Sequence, residues 1–468
     1  MTNGELENKE KAKVSRIVAI IGALAVLNGF AAEKKEPPFK QLDEARAGFN
    51  KQEGEVFRGA RAAGDATAFE TAAFAPSNTH TRGLVFSKAW KGRRLAYYVH
   101  GSDPAWGAAD PKQTDAFAVL HPMKDRPQKK TPLYVVLHSA GHSLETCIQC
   151  IDFNGPNHDI YRPPADCYGL ILDCKRNAKT DWWWGSGAKG FEPSPCERRV
   201  MACVRWAIAK FDIDPNRVYL SGNSMGGSGT LGIGLRNGDV FAAIKANVPA
   251  GVDHCAERML FRDDADPSLV AKIPDPPVLV DYSAPNDGWS KGHNGFYAQM
   301  AKRRYALLGF WGNFGHANRD PDIAKFNDII HSLDWLSIRR NEAYPVFTAA
   351  DCDTPIDFTF SKGGAKGPGQ VNGFFRWKNI KDTKSEFAME LRITTSNELC
   401  SAFFNPPASA SAEVSVRRLQ NFRAKPGDRL KWSFGAASGA ATAASDGRID
   451  CGKLTLSQKP QTLKLWCN

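Results

Sequence analysis

Several features that would place a chain in a function class at once are missing from this sequence. Beyond residue 30 no apolar run is long enough to cross a bilayer, so no internal membrane span is expected. No internal repeat occurs, which argues against a repeat array. The net charge is +11, spread along the chain, with Lys129-Lys130 and Arg339-Arg340 as short pairs and no long basic run. The excess charge therefore reads as a solvated surface, and no nucleic-acid partner is expected. Cys147-Ile-Gln-Cys150 has the spacing of a redox or zinc pair, but no second C-x-x-C and no spaced histidine pair completes a metal set. Nothing in the chain calls for a metal or an organic cofactor.

What is present begins with an export signature. Lys9, Lys11, Lys13 and Arg16 precede an apolar segment at 17–30, and small residues follow at Ala31 and Ala32. That is the layout of a secretory signal peptide over residues 1–32, with an uncleaved anchor as the alternative. The expected location is secreted or periplasmic. Eleven cysteines in an exported chain favour disulfides. Cys352, Cys400, Cys451 and Cys467 could form two bridges in the last third, and Cys147 and Cys150 read as a structural bridge or as plain buried thiols.

With 468 residues the chain can hold two or three domains. Residues 33–82 read as a linker or lead-in segment. Across 83–345 short apolar runs alternate with helix-compatible stretches, the pattern of an α/β domain with a mainly parallel sheet. Strands are expected at 116–120, 133–137, 169–172, 218–220, 242–247, 278–280 and 306–310. One helix has clear grammar: Ser194 as N-cap, Pro195 at the first helical position and Glu197 completing a capping box, with Val200, Val204, Ala207, Ile208 and Phe211 on one apolar face. From 349 to 468, β-branched and aromatic runs separated by turn residues predict a β-sandwich-like domain. Strands are expected there at 358–360, 374–377, 387–393, 413–419, 430–434, 454–456 and 463–466.

The run Gly222-Asn223-Ser224-Met225-Gly226-Gly227 carries the chemistry. A G-x-S-x-G pentapeptide between a strand and a helix is a nucleophile elbow, whose glycines leave room for a serine hydroxyl held above the sheet. Ser224 is the candidate nucleophile, and a structural Gly-rich turn is the plain alternative. In such folds the carboxylate and the imidazole follow in that order. Asp287, in the loop after the 278–280 strand, is the candidate acid, and Asp281 the runner-up. An Asn-Asp-Gly turn would explain Asp287 equally simply. His316, after Gly315 at the end of the 306–310 strand, is the candidate base, while His293 and His331 read as packing or surface residues. The oxyanion hole is assigned to the backbone N–H of Met225 and to Ser139 or Ala140 in the loop after the 133–137 strand. Trp182, Trp183 and Trp184 cannot all enter a core, so they and His138 are candidate substrate contacts.

At these residues the chain resembles secreted esterases of the α/β-hydrolase superfamily, the group that includes polyhydroxyalkanoate depolymerases and feruloyl or acetylxylan esterases. It is also similar to prolyl oligopeptidase-type catalytic domains. The resemblance covers roughly residues 90–340 and rests on the loop Leu137-His138-Ser139-Ala140-Gly141, on the elbow, on Asn286-Asp287 and on Gly315-His316. It implies an α/β-hydrolase fold, a Ser224-Asp287-His316 triad and hydrolysis through an acyl-enzyme. Ser139 stands where those esterases usually carry glycine. The expected function is carboxylic-ester hydrolysis on a small-molecule or polymer-linked ester, of a plant polysaccharide or a polyester. A serine peptidase, or a non-catalytic glycan-binding protein with carbohydrate as partner, are the alternatives.

Overall fold

The computed structural model describes residues 84–90, 92–101, 114–123, 130–152, 160–174, 183, 191–316, 321–358, 367–401 and 403–467. The segments expected as signal peptide and lead-in, residues 1–82, lie outside the described residues.

A ten-stranded sheet forms the first layer system. Its strands are β1 (Leu84–Trp90), β2 (Arg93–Gly101), β3 (Thr114–Leu120), β4 (Thr131–Leu137), β5 (Tyr168–Leu172), β6 (Ile213–Asn223), β7 (Ala243–Asn247), β8 (Val278–Ser283), β9 (Leu307–Trp311) and, after β10 (Tyr344–Thr348), β11 (Gly369–Val371). The spatial order is β1-β2-β3-β5-β4-β6-β7-β8-β9-β11. β4 to β9 run parallel, while β1, β2 and β3 form an antiparallel edge and β11 pairs antiparallel with β9. All seven strands expected in this region are present. From β4 the chain winds to β5 on one side and to β6 through β9 on the other. The crevice between the C-terminal ends of β4 and β6 is thus the topological switch point where open parallel sheets place their ligands.

Both faces of the sheet are covered, because successive side chains point to opposite sides and each side meets an apolar cluster. Val135, Leu137, Leu220, Ile244 and Leu279 pack on one side with the helix Pro195–Lys210. Tyr134, Val136, Tyr219, Val280 and Leu308 pack on the other, and this cluster continues into the C-terminal module through Phe347, Phe375 and Phe387. The helix Pro195–Lys210 starts as its sequence dictates, Ser194 Oγ accepting the Glu197 N–H at 3.1 Å. The reciprocal half of the box is missing: the Glu197 carboxylate bonds the buried Arg258 guanidinium and accepts from Asn237 Nδ2 at 3.0 Å. A buried guanidinium is a stronger partner for a carboxylate than a backbone N–H.

The remaining strands, β12 (Phe375–Asp382), β13 (Glu386–Ile393), β14 (Ser409–Arg417), β15 (Arg429–Phe434), β16 (Ala437–Ala443), β17 (Ile449–Ser457) and β18 (Gln461–Cys467), join β10 in an antiparallel sheet ordered β10-β14-β17-β16-β15-β18-β13-β12. β16 and β17 pair only through Thr442–Ala443 and Ile449–Asp450. Contacts of β13 with β17 and of β10 with β12 bring the two halves together in a sandwich-like arrangement. The strand expected at 358–360 does not start at Phe358, which is instead a buried plug stacked on His293 at 4.7 Å. β16, a run of Ala, Gly, Ser and Thr, has no apolar signature, which is why its sequence predicts nothing.

The disulfide expectation is corrected: all eleven cysteines are free. Cys147, Cys167 and Cys451 belong to one apolar cluster, and Cys174, Cys196, Cys203 and Cys255 to the other. They pack as small hydrophobes. Burial pushes the thiol of Cys150 up to about 11, and those of Cys352 and Cys451 to about 12, so these groups stay protonated.

Candidate active site

The elbow is built by steric exclusion. Ser224 sits at φ 56° and ψ −115°, between the end of β6 and the helix Met225–Gly229. A Cβ on Gly222 would lie 2.3 Å from Gly226 O, and one on Gly226 would lie 2.0 Å from Leu137 O. Only glycine lets the turn close and lets its helix approach β4. The turn is tied to β7 by Ser224 N–H donating to Asn247 O at 2.9 Å. A serine held in so sparsely populated a conformation marks stored strain of the kind concentrated at functional sites.

Ser224 Oγ lies 2.7 Å from His316 Nε2, and His316 Nδ1 lies 2.6 Å from Asp287 Oδ2. The proton assignment that satisfies both contacts has Nδ1–H donating to the carboxylate and Nε2 accepting the serine proton. Asp287 is 3 % exposed, and its other oxygen accepts the Trp289 N–H at 2.9 Å. The Asx turn and the candidate acid are therefore the same residue. Asn286 locks this loop to the histidine loop: its Oδ1 accepts Gly315 N–H at 2.9 Å and its Nδ2 donates to Asn313 O at 3.2 Å. Gly315 has φ +60°, the left-handed conformation that turns the chain so that His316 faces back across the sheet.

Asp281, the alternative acid, is elsewhere. It is fully buried, accepts from Tyr297 Oη at 2.5 Å and from Ser283 Oγ at 3.2 Å, and burial raises its carboxyl above the ordinary value. His293 lies beside it, with Nε2 2.9 Å from Ser283 Oγ and Nδ1–H donating to Ser290 O at 3.0 Å. This network braces β8 and the start of the acid loop. His331 is exposed at the end of the helix Pro321–His331.

Met225 N–H, at the first position of the elbow helix, is one of the amides a helix leaves without a helical partner. The β4 loop divides its two candidates. Ser139 N–H is already donated to Tyr161 Oη at 3.0 Å, whereas Ala140 N–H has no bond among the described residues. His138 is corrected from substrate contact to tether: 1 % exposed, it donates from Nδ1 to Ser139 O at 2.8 Å and accepts Cys174 N–H at Nε2 at 3.0 Å. Trp183 is likewise core. It is fully buried, packs its ring on His138 at 5.0 Å and donates Nε1–H to His138 O at 2.8 Å. Trp182 and Trp184 lie outside the described residues.

Two residues near the site carried no signal in the sequence. Trp289 is 39 % exposed with its ring centroid 6.4 Å from that of His316, and Tyr161 is buried against Ser139. Among the described residues no group of three or more His, Cys, Asp or Glu is placed to hold a metal, and no helix is long and apolar enough to cross a membrane. Trp377, Trp432 and Trp466 of the C-terminal sheet are buried or half-buried, with Trp432 Nε1 bonded to Ala440 O at 3.1 Å.

The prolyl oligopeptidase family matches the chain over residues 196–253, which run from the helix Pro195–Lys210 through the elbow to β7. No curated protein matches the chain. Solved structures similar to it include an S-formylglutathione hydrolase from Agrobacterium tumefaciens, 16 % identical, covering 55 % of this chain and 98 % of that one with a TM-score of 0.39. Another is the S-formylglutathione hydrolase of Staphylococcus aureus, 14 % identical over 52 % of this chain and 98 % of that one, TM-score 0.36. A third is a ferulic acid esterase from Anaeromyces mucronatus, 13 % identical over 51 % and 91 %, TM-score 0.33. By the strand order of its mainly parallel sheet and the elbow at the end of β6, the chain has the α/β-hydrolase fold, joined to a C-terminal antiparallel β domain.

Proposed function

We propose that this protein is a serine hydrolase that cleaves carboxylic esters through an acyl-enzyme. The observation that carries the reading is the continuous relay from Ser224 Oγ to His316 to Asp287, at 2.7 and 2.6 Å, mounted on a strained elbow. In the forward step His316 Nε2 takes the serine proton as Oγ attacks the ester carbonyl, and Asp287 stabilises the imidazolium. The N–H groups of Met225 and Ala140 receive the developing oxyanion. Collapse expels the alcohol, which takes the proton from Nε2. Water, deprotonated by His316, then attacks the acyl carbon and releases the acid with the serine hydroxyl restored.

The exposed Trp289 ring beside His316 supports a substrate with a planar or sugar-like group on the leaving side, since an indole stacks on such faces. Polymer-linked esters, and an exported location for the enzyme, belong to the same reading. The test is hydrolysis of a panel of p-nitrophenyl and feruloyl esters by the protein and by Ser224→Ala. A loss of about 10⁴-fold or more in kcat is expected for the variant. A fluorophosphonate probe should label the parent at Ser224 alone; a folded parent that neither reacts with it nor turns over any ester would refute the reading. The match to the prolyl oligopeptidase family over 196–253 favours a second reading, amide hydrolysis on the same triad. A matched ester and amide pair separates the two, and the ester is expected to be the faster.

A further inference from the structure

We propose that Tyr161 is a positioning residue for the oxyanion hole: by binding Ser139 N–H it leaves Ala140 N–H as the donor that the β4 loop presents to the tetrahedral oxygen. The proposal rests on the ester-hydrolase reading above. A loop that follows a strand presents successive amides pointing in different directions, and a rotated peptide would present the wrong one. Here the choice is made by a closed set of hydrogen bonds. Tyr161 Oη accepts from Ser139 N at 3.0 Å and donates to Ser139 Oγ. Ser139 Oγ in turn donates to Asn223 O at 2.9 Å and accepts from Asn223 Nδ2 at 2.9 Å. Each hydroxyl then donates once, and every proton has one destination.

The rest of Ser139 is fixed as well, because its carbonyl accepts from His138 Nδ1 at 2.8 Å and from His142 N at 3.2 Å. Asn223 directly precedes the nucleophile on β6, so the same bonds tie the oxyanion loop to the strand that carries Ser224. The Tyr161 ring is 1 % exposed, and burial holds its phenol well above the ordinary value, so it keeps the proton it must donate. The unusual serine at position 139 thus has a use: its Oγ is the hub that glycine could not supply.

The experiment uses the full chain with Tyr161→Phe, which keeps the ring and deletes the hydroxyl. The expected result is a fall in kcat for an activated ester of about 10- to 100-fold with KM changed less than about threefold. Affinity for a boronic acid that forms a tetrahedral adduct on Ser224 should fall in parallel, while affinity for the product carboxylate holds. Unchanged kcat and boronate affinity, with only a lower melting temperature, would overturn the proposal. Ser139→Ala is the second variant: it keeps the N–H to Tyr161 but loses the hub, so kcat and boronate affinity should both fall about three- to tenfold. No change in either would also overturn the proposal. A parent protein with no ester turnover and no Ser224 adduct defeats the reading of the site and this proposal together. An active parent with an equally active Tyr161→Phe defeats this proposal alone.

Discussion

The two sheets of this protein bury the same kinds of residue in opposite ways. In the mainly parallel sheet, β4, β7, β8 and β9 are buried at every position. In the antiparallel sheet, β13 alternates buried and half-buried residues along its length. Parallel strands need crossovers that cover both faces, and they deliver all their C-terminal ends to one edge. Ser224, Asp287 and His316 leave from β6, β8 and β9 at that edge, and the oxyanion loop leaves from β4. Antiparallel strands joined by hairpins send their turns to both ends of the sheet. The difference teaches that strand direction brings the candidate reacting groups to one edge, while the second sheet shares an apolar cluster with the first.

That junction is specific. Phe358 stacks on His293 of the network behind the acid loop, β11 extends the parallel sheet at β9, and Arg417 of β14 reaches back across the boundary. The Arg417 guanidinium meets Asp275 at 2.5 Å, Asp446 at 2.7 Å and Arg304 O at 2.6 Å, and lies over the Tyr305 ring.

The comparison can be broken first at the elbow. Gly226→Ala should reduce ester hydrolysis more than about 100-fold and destabilise the fold, because its Cβ would meet the Leu137 carbonyl. Gly288→Ala, beside Asp287 with open space around it, should stay within about threefold. Kinetics and thermal melts on both variants check this, and equal effects would mean that steric closure does not set the site.

Next in size is Arg417→Met. Arg417 is buried, but Asp275 and Asp446 are partly exposed and Asp446 keeps Arg448, so solvent screens what is left and the loss is about 1–3 kcal/mol. The melting temperature should drop while kcat per folded molecule stays within about twofold. A large fall in kcat without a thermal shift would mean that the second sheet acts on the chemistry directly.

A smaller, pH-dependent effect is expected at Asp353, which lies where the C-terminal module meets the parallel sheet and accepts Asn372 N–H at 2.7 Å. Burial, with nearby Asp351 adding to it, pushes its carboxyl from 3.8 up to about 7. The folded state thus binds this proton more tightly than the unfolded state. The contribution is complete below about pH 3.8 and is lost as pH rises through about 7. Asp353→Asn should match the parent near pH 4 and melt a few degrees higher at pH 8. A melting difference independent of pH would contradict the assignment.

The smallest effect is expected at Trp289→Ala. KM for aromatic or sugar esters should rise about two- to tenfold, with little change for acetyl esters and in kcat. Equal changes for all esters would remove Trp289 from the substrate wall and leave it as a brace of the acid loop, through its N–H to Asp287 and its carbonyl to Gly251 N.

Much of this molecule is legible in its sequence where the constraint is local. The seven apolar runs of the parallel sheet, the Ser194-Pro195 helix start and the Gly-Asn-Ser-Met-Gly turn each state their geometry within a few residues, because period, capping and glycine sterics act over that range. The order Ser224, Asp287, His316 follows from where the strands end. Other assignments depended on what the chain meets in space. His138 and Trp183 carry the residue types of a binding wall but are tied to each other and to the Cys174 backbone. The cysteines, whose number suggests bridges, are all free: seven are buried among apolar side chains, while Cys400 and Cys467 are exposed. β11 is three residues long and exists as a strand because β9 offers it an open edge. The sequence by itself determined the seven apolar runs of the parallel sheet, the elbow and the candidate reacting groups, since these are set by neighbours along the chain. Only the tertiary structure decided which amide of the β4 loop remains free and which aromatic faces the site, since a hydrogen bond such as that from Ser139 to Tyr161 joins residues 22 apart through space.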